Sequence, residues 1–285
     1  MQHLLLDGIA DLPSVRLGTL APADLEAAHR LSSLFKWPHR LEDWQLMLRF
    51  GSGIGARDPD GRLVGTALWW AYGPATASLG MILVDPAMQR RGLGKQLMEA
   101  LLARAGERQL LLYSTDAGRG LYASYGFREI GRARQHQGEC RGPIASPRVR
   151  AARATDRAFI QTHDALAFGA PREHLMSGLL AIGTAYVIET ASRVSGFAIR
   201  RRFDRGDLIG PVVAGSEQDG MELVAASLGA GFNRIDVAHD RPHVSSALLR
   251  LGLAHAGEVV AMVRGDWPPV SPGVCRFALA SQAFG

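Results

Sequence analysis

The chain has 285 residues, 47% hydrophobic and 21% charged, a balance that fits one large or two ordinary globular domains and excludes general disorder. Its formal charge of +5 and pI of about 9.7 arise from arginines dispersed over both halves, with Arg200, Arg201 and Arg202 as the longest run. That dispersal argues against nucleic acid as a partner, since such grooves need clustered basic residues with interleaved aromatics, but it suits an anionic small molecule. The apolar stretches 109–113 and 181–188 are far shorter than a membrane span. The opening MQHLLLDGIADLPS has neither a cationic leader nor an adequate apolar core, so a cytoplasmic chain with no membrane partner is expected. The two cysteines, Cys140 and Cys275, lie far apart without ligand spacing and imply neither a disulfide framework nor a metal site.

In chain order, Val15 to Gly18 reads as a short strand. Ala23, Leu25, Ala28 and Leu31 then recur at helical spacing, and a second helical patch runs from Leu41 to Phe50. Strands at Gly53 to Ala56 and Arg62 to Tyr72 flank DPDGR, which has the residues of a tight hairpin. GPAT makes another turn into a strand from Ala77 to Val84. A Gly-rich turn then enters a helix from about Gly92 to Ala105, with Leu97, Met98, Leu101 and Leu102 on one face. A strand from Gln109 to Ser114, a helix around Leu121 and a strand from Phe127 to about Arg134 complete this half.

After GECRGPIASP, which reads as a linker, the order repeats. VRAARATD echoes VRLGTLAPAD, helical patches follow at Asp156 to Ala167 and Pro171 to Ile182, and strands at Ala185 to Thr190 and Val194 to Arg201. LIGPVV answers ILVDPAM, aligning Pro211 with Pro86, and LGLAHAG answers YGFREIG, aligning Gly252 with Gly126. Two copies of one fold, rather than one continuous sheet, are expected.

The turn VDPAMQRRGLGK, beginning at Val84, is built for an anion. A Walker loop requires a glycine at Gln89 and a hydroxyl residue at Gln96, and the dinucleotide fingerprint requires a third glycine at Leu97 in a parallel βαβ unit, so neither fits. What remains is a helix N-terminus whose first-turn amides are free to bind phosphate, with Arg90, Arg91 and Lys95 adding charge.

QRRGLG (Gln89 to Gly94), preceded by ILV and DP and followed by LYASYGF (Leu121 to Phe127), resembles the GCN5-related N-acetyltransferases, the GNAT superfamily. FAIRR, LIGPVVA and MVRG in the second half resemble the C-terminal half of a two-domain bacterial subgroup. The resemblance implies an α/β (α+β) fold in tandem, each unit a mixed, mostly antiparallel twisted sheet flanked by helices. Residues 1–140 would form the catalytic domain and 147–285 a degenerate copy. It implies acetyl-CoA as donor, with the backbone of Ile82, Leu83 and Val84 pairing the pantetheine arm. The segment Gln89, Arg90, Arg91, Gly92, Leu93, Gly94 and Lys95 would hold the pyrophosphate, and Tyr122 would be the general acid.

The chain departs from the family pattern in two places. Thr115, beside Ser114, stands where many relatives carry a cofactor-binding asparagine, and the strands around the site lack the carboxylate base, leaving a water relay or His39, Glu189 or Asp236. In the second copy, AGSEQD (Ala214 to Asp219) puts acids in place of the basic pair and Leu248 aligns with Tyr122, so one active site per chain is expected. Phe35, Trp37, Trp44, Trp69, Trp70 and Tyr72 are candidates for the acceptor pocket or the core. Successive arginines at 200, 201 and 202 on a strand must alternate faces, which admits an acceptor with a carboxylate. The leading reading is an acetyltransferase acting on a small-molecule amine as monomer or homodimer; the alternative is a non-catalytic acyl-CoA-binding or sensing protein.

Overall fold

The structure, a computed structural model, describes residues 15–191, 193–238 and 242–285, and of 242 and 243 the backbone alone. The segment MQHLLLDGIADLPS lies outside the described residues.

The first half runs β1 (Arg16–Thr19), α1 (Leu25–Leu34), α2 (Leu41–Phe50), β2 (Ser52–Arg57), β3 (Leu63–Tyr72), β4 (Thr76–Val84), α3 (Leu93–Ala105), β5 (Gln109–Ser114), α4 (Asp116–Ser124) and β6 (Arg128–Arg141). The second repeats it as β7 (Val149–Ala151), α5 (Arg157–Phe168), α6 (Glu173–Ile182), β8 (Thr184–Thr190), β9 (Arg193–Phe203), β10 (Gly206–Ala214), α7 (Glu217–Ser227), β11 (Ala230–Ala238), α8 (Pro242–Arg250) and β12 (Ala254–Arg264), then adds β13 (Cys275–Ala278). Among the described residues no helix is long and apolar enough to cross a membrane.

In each half four strands form an antiparallel meander, and a helix then carries the chain to a parallel fifth strand. The sheet is therefore mixed and mostly antiparallel, as expected, but the expectation of two separate sheets is corrected. Among the described residues all thirteen strands join in one sheet, ordered β1-β2-β3-β4-β5-β12-β6-β11-β13-β10-β9-β8-β7. Each half lends its sixth strand to the other: β12 pairs β5, β6 pairs β11, and β6 and β12 pair with each other.

Exchange also explains why β6 outruns its predicted end. Residues 138–141, read as linker, pair with β11 from Ala230 to Asn233, and no local periodicity reports a partner ninety residues away. Glu258 on β12 receives Arg132 and Arg134 from β6 at 2.5 and 3.1 Å, cross-strand ion pairs that help fix the register.

Three large apolar clusters follow from this arrangement. One lies under α3 (Leu97, Met98, Leu101), one under α7 (Leu223, Val224, Phe277), and the third is shared, bringing Trp44 and Trp70 together with Phe168, Phe197 and Phe284. The shared core is sealed by polar anchors: Tyr72 Oη donates to the Phe284 carbonyl at 3.0 Å, and buried Arg172 pairs with Asp164 at 2.7 Å while donating to the Phe284 and Gly285 carbonyls. The two halves are thus one packed body by burial as well as by strand pairing.

Candidate functional site

A cavity of about 1060 Å³ opens where β4 and β5 part. The two strands pair in parallel only from Thr76↔Gln109 to Leu79↔Leu112. Just beyond, β4 carries a bulge against β3 between Gly80 and Leu83, and Met81 takes a φ of 51°, unusual for a side-chain-bearing residue. Thr66 Oγ1 donates to the Met81 carbonyl at 2.8 Å and holds the distortion. The bulge swings Ile82, Leu83 and Val84 away from β5, leaving their β5-facing edge on the cavity wall.

The predicted turn stands at the end of this edge. Asp85 Oδ1 accepts from Ala87 N at 2.9 Å, ordering the approach, and Gly92, with a φ of 81°, starts α3 with no side-chain cap. An uncapped first turn presents its amides outward, and at a left-handed φ a side chain would be strained. Gln89, Arg90 and Gly94 line the cavity. Arg91, Gly92, Leu93 and Lys95 share the turn without lining that wall; the Leu93 side chain is core, 2% exposed, and Lys95 lies 4.0 Å from Glu99 on the exposed face.

Thr115, the N-cap residue of α4, also lines the cavity, as does Tyr122 about two turns further along the helix. Tyr122 packs edge-on against Phe127, with ring centroids 6.2 Å apart, and burial pushes its phenol up to about 12. It therefore keeps its proton across the neutral range.

The far end of the cavity is walled by both halves. The first supplies Phe35, Trp37, His39 and Asp43; the second supplies Arg201, Phe203 and Arg234, together with the segment from Ser281 to Phe284. Of the six candidate aromatics, Phe35 and Trp37 reach the cavity, Trp44, Trp70 and Tyr72 are core, and Trp69 lies near Arg108 instead. Among the arginine triplet, alternation has the predicted effect: Arg201 is 4% exposed and faces inward, while Arg200 and Arg202 lean on Asp207.

The three nominated bases separate clearly. Glu189 is held by Arg150 at 2.7 Å and does not line the cavity. Asp236 is fully buried, engaged by Arg234 at 3.0 Å and by Gln282 at 3.0 Å. His39 does line the cavity, but burial, reinforced by Arg234, lowers it to about 3, so it is neutral and weakly basic. Sequence reasoning missed Arg234 and the 281–284 segment; an Arg-x-Asp pair inside the apolar run of β11 was the available signal for the first.

The same positions in the second half are arranged otherwise. Ser216 caps α7, its Oγ accepting from Asp219 N at 3.1 Å, and Arg148 pairs with both Asp219 and Glu222. The wedge between β10 and β11, which pair over only two residues, is taken by β13, bonded to Val212, Val213 and Ala214 on one side and Val237 on the other. The aligned turn after the helix is preserved: Phe127 N donates to the Tyr122 carbonyl, and Leu253 N to that of Leu248, which is 0% exposed. The alignment of Pro211 with Pro86 is corrected, because β10 continues to Ala214 whereas Pro86 lies beyond the end of β4.

Two family models, each described as an acetyltransferase (GNAT) domain, match residues 53–129 and 160–272. The uncharacterized N-acetyltransferase YitH of Bacillus subtilis is 23% identical over 265 residues, 90% of this chain and 93% of that protein. The N-alpha-acetyltransferase RimI of Mycobacterium tuberculosis is 35% identical over 138 residues, 45% of this chain and 87% of that protein. Among solved structures, a protein of Pyrococcus horikoshii superposes with a TM-score of 0.80 at 19% identity, covering 100% of this chain and 99% of that one. A tandem GNAT protein from the clavulanic acid biosynthesis pathway does so with a TM-score of 0.61 at 17% identity, over 90% and 99% of the two chains.

Proposed function

The chain belongs to the GNAT family of acetyl-CoA-dependent acetyltransferases, and on that premise we propose that it moves an acetyl group directly to the primary amine of a small molecule at one site, in its first half. Residues 1–140 are the catalytic unit in this reading, and 147–285 a degenerate copy that walls the acceptor end. The observation that carries it is the contrast between two equivalent wedges, one open onto a cavity with an uncapped helix start and the other filled by the chain's own β13.

The residues present fit the cofactor. Free first-turn amides of α3 and the charges of Arg90, Arg91 and Lys95 suit a pyrophosphate, Gln89 and Thr115 add polar groups, and the splayed backbone of Ile82, Leu83 and Val84 suits an extended amide-bearing arm. When bound, acetyl-CoA supplies the acetyl group as a thioester. Tyr122 Oη holds the proton that the departing sulfur needs, and its raised pKa keeps that proton available at neutral pH. The apolar wall around it, Leu121, Leu112 and Val84, limits water near the reacting carbon. With the carboxylate nominees paired and His39 weakly basic, loss of the amine proton through water is the route this site supports.

The test is thiol release from acetyl-CoA over a panel of amines and amino acids, with Tyr122→Phe as the variant. Turnover that falls in the variant while cofactor binding stays constant supports the proposal; cofactor binding without turnover on the whole panel contradicts it.

A further inference from the structure

At the acceptor end, two buried guanidiniums, Arg201 and Arg234, and the half-buried one of Arg40 meet two carboxylates. Arg40 claims Asp43, with Nε and Nη2 at 3.1 and 2.9 Å and its own backbone N at 2.9 Å. Arg234 claims Asp236, with Nε and Nη2 donating to Oδ1 at 3.3 and 3.1 Å and Nη2 to Oδ2 at 3.0 Å. Arg201 stands between them with no carboxylate of its own: its nearest, Asp43, is 3.8 Å from Nη1, and its hydrogen bonds are long ones to the Arg202 and Ala280 carbonyls, 3.5 and 3.4 Å. Its Nε has no partner among the described residues. Asp204 and Arg205, one of each sign, sit on the same wall and leave the surplus positive.

Two further buried polar atoms without a partner among the described residues, His39 Nδ1 and the Tyr113 hydroxyl, belong to residues that line the same cavity. An unpaired donor on a 4% exposed guanidinium is costly unless something binds it. Burial, helped by Arg234 and opposed by Asp43, lowers the Arg201 pKa to about 10, which still leaves it charged at neutral pH. A guanidinium edge presenting Nε and a neighbouring Nη matches the two oxygens of a carboxylate. Phe203 packs beside both arginines, 5.5 and 5.1 Å from its ring, and fixes the fork.

We propose that Arg201 is a specificity residue that binds the carboxylate of the acceptor, making the substrate class a small amine that also carries a carboxylate, such as a free amino acid. This rests on the acetyl-transfer reading above and narrows its acceptor. The second half then supplies the recognition group that the first half lacks, from a strand that alternates one inward arginine with two outward ones.

The experiment compares matched acceptors by thiol release: each amino acid beside the amine in which hydrogen or carboxamide replaces its carboxylate, with O-phosphoethanolamine added. The carboxylate member of each pair is expected to have a kcat/KM about tenfold or more above its neutral counterpart. Arg201→Lys, which keeps the charge but loses the fork, should raise KM about tenfold for the carboxylates and change KM for the neutral amines by a much smaller factor. Equal values within pairs, a preference for the phosphate, or a loss shared by both members in the variant overturns the proposal. Binding of N-acetyl amino acids against N-acetyl amines is measured in parallel by calorimetry, with and without CoA, so that the carboxylate preference is read even where turnover is absent. Lack of that preference overturns it, whereas failure of CoA to bind counts against the parent reading alone.

Discussion

In the first half the parallel pairing of β4 with β5 ends at Leu79↔Leu112, and beyond it the strands line a cavity; in the second, β10 and β11 part after two residues and β13 runs between them. The second wedge is filled by the chain itself, through the hydrogen bonds of β13. Phe277 and Leu279 on or beside β13 are 0% and 1% exposed, and Leu279 N donates to the Asp236 carbonyl at 2.9 Å. A Cβ on Gly220 of α7 would lie 2.5 Å from the Phe277 ring, so the helix and the inserted strand are fitted to each other. Splayed parallel strands expose backbone groups that need partners; in the second half β13 supplies them, and in the first half that edge faces the cavity.

That comparison is broken most forcefully at the plug. Phe277→Ala removes a fully buried ring from the core under α7 and should cost about 3–5 kcal/mol of unfolding free energy, read from denaturant midpoints. A cost within about 1 kcal/mol would mean that β13 is an ornament rather than a structural member. At the aligned helix position, Tyr122→Phe should lower kcat by about a hundredfold with little change in stability. Leu248→Ala, its counterpart, should do the reverse, costing about 2–5 kcal/mol of stability and leaving cofactor affinity untouched. Gly94→Asp sharpens the contrast between the helix starts: its Cβ has room, 3.6 Å from Leu121, yet its charge opposes a pyrophosphate, and about a tenfold loss of acetyl-CoA affinity is expected.

The smallest effect lies at the seam between the halves. His39 has its folded pKa lowered from 6.5 to about 3, so the unfolded chain takes up the proton first as pH falls. Stability is therefore full above pH 6.5 and declines below it, by about 1 kcal/mol over the first pH unit. His39→Gln should flatten that part of the curve; an unchanged slope would show that His39 is protonated in the folded protein.

Much of this was legible from residues alone. The helix from Leu41 to Phe50 and the strand from Gln109 to Ser114 appear where periodicity put them, because each is bounded by its own local signals and packs one apolar face. The turn at Gly92 was legible because a left-handed N-cap and a phosphate approach both favour glycine. Strand exchange was not, since β12 shows the same alternation whether it pairs within its own half or with β5. Nor was the inward placement of Arg201 distinguishable from that of its neighbours: alternation said that at least one of the three differs in environment, but only the position of Asp207 and the cavity shows which.

Calorimetric titration of the full chain with acetyl-CoA addresses the central claim most directly. One site per chain is predicted, weakened about tenfold by Gly94→Asp and unaffected by Ser216→Ala at the other helix start. Two sites per chain, or a single site that responds to Ser216→Ala and ignores Gly94→Asp, would contradict the account.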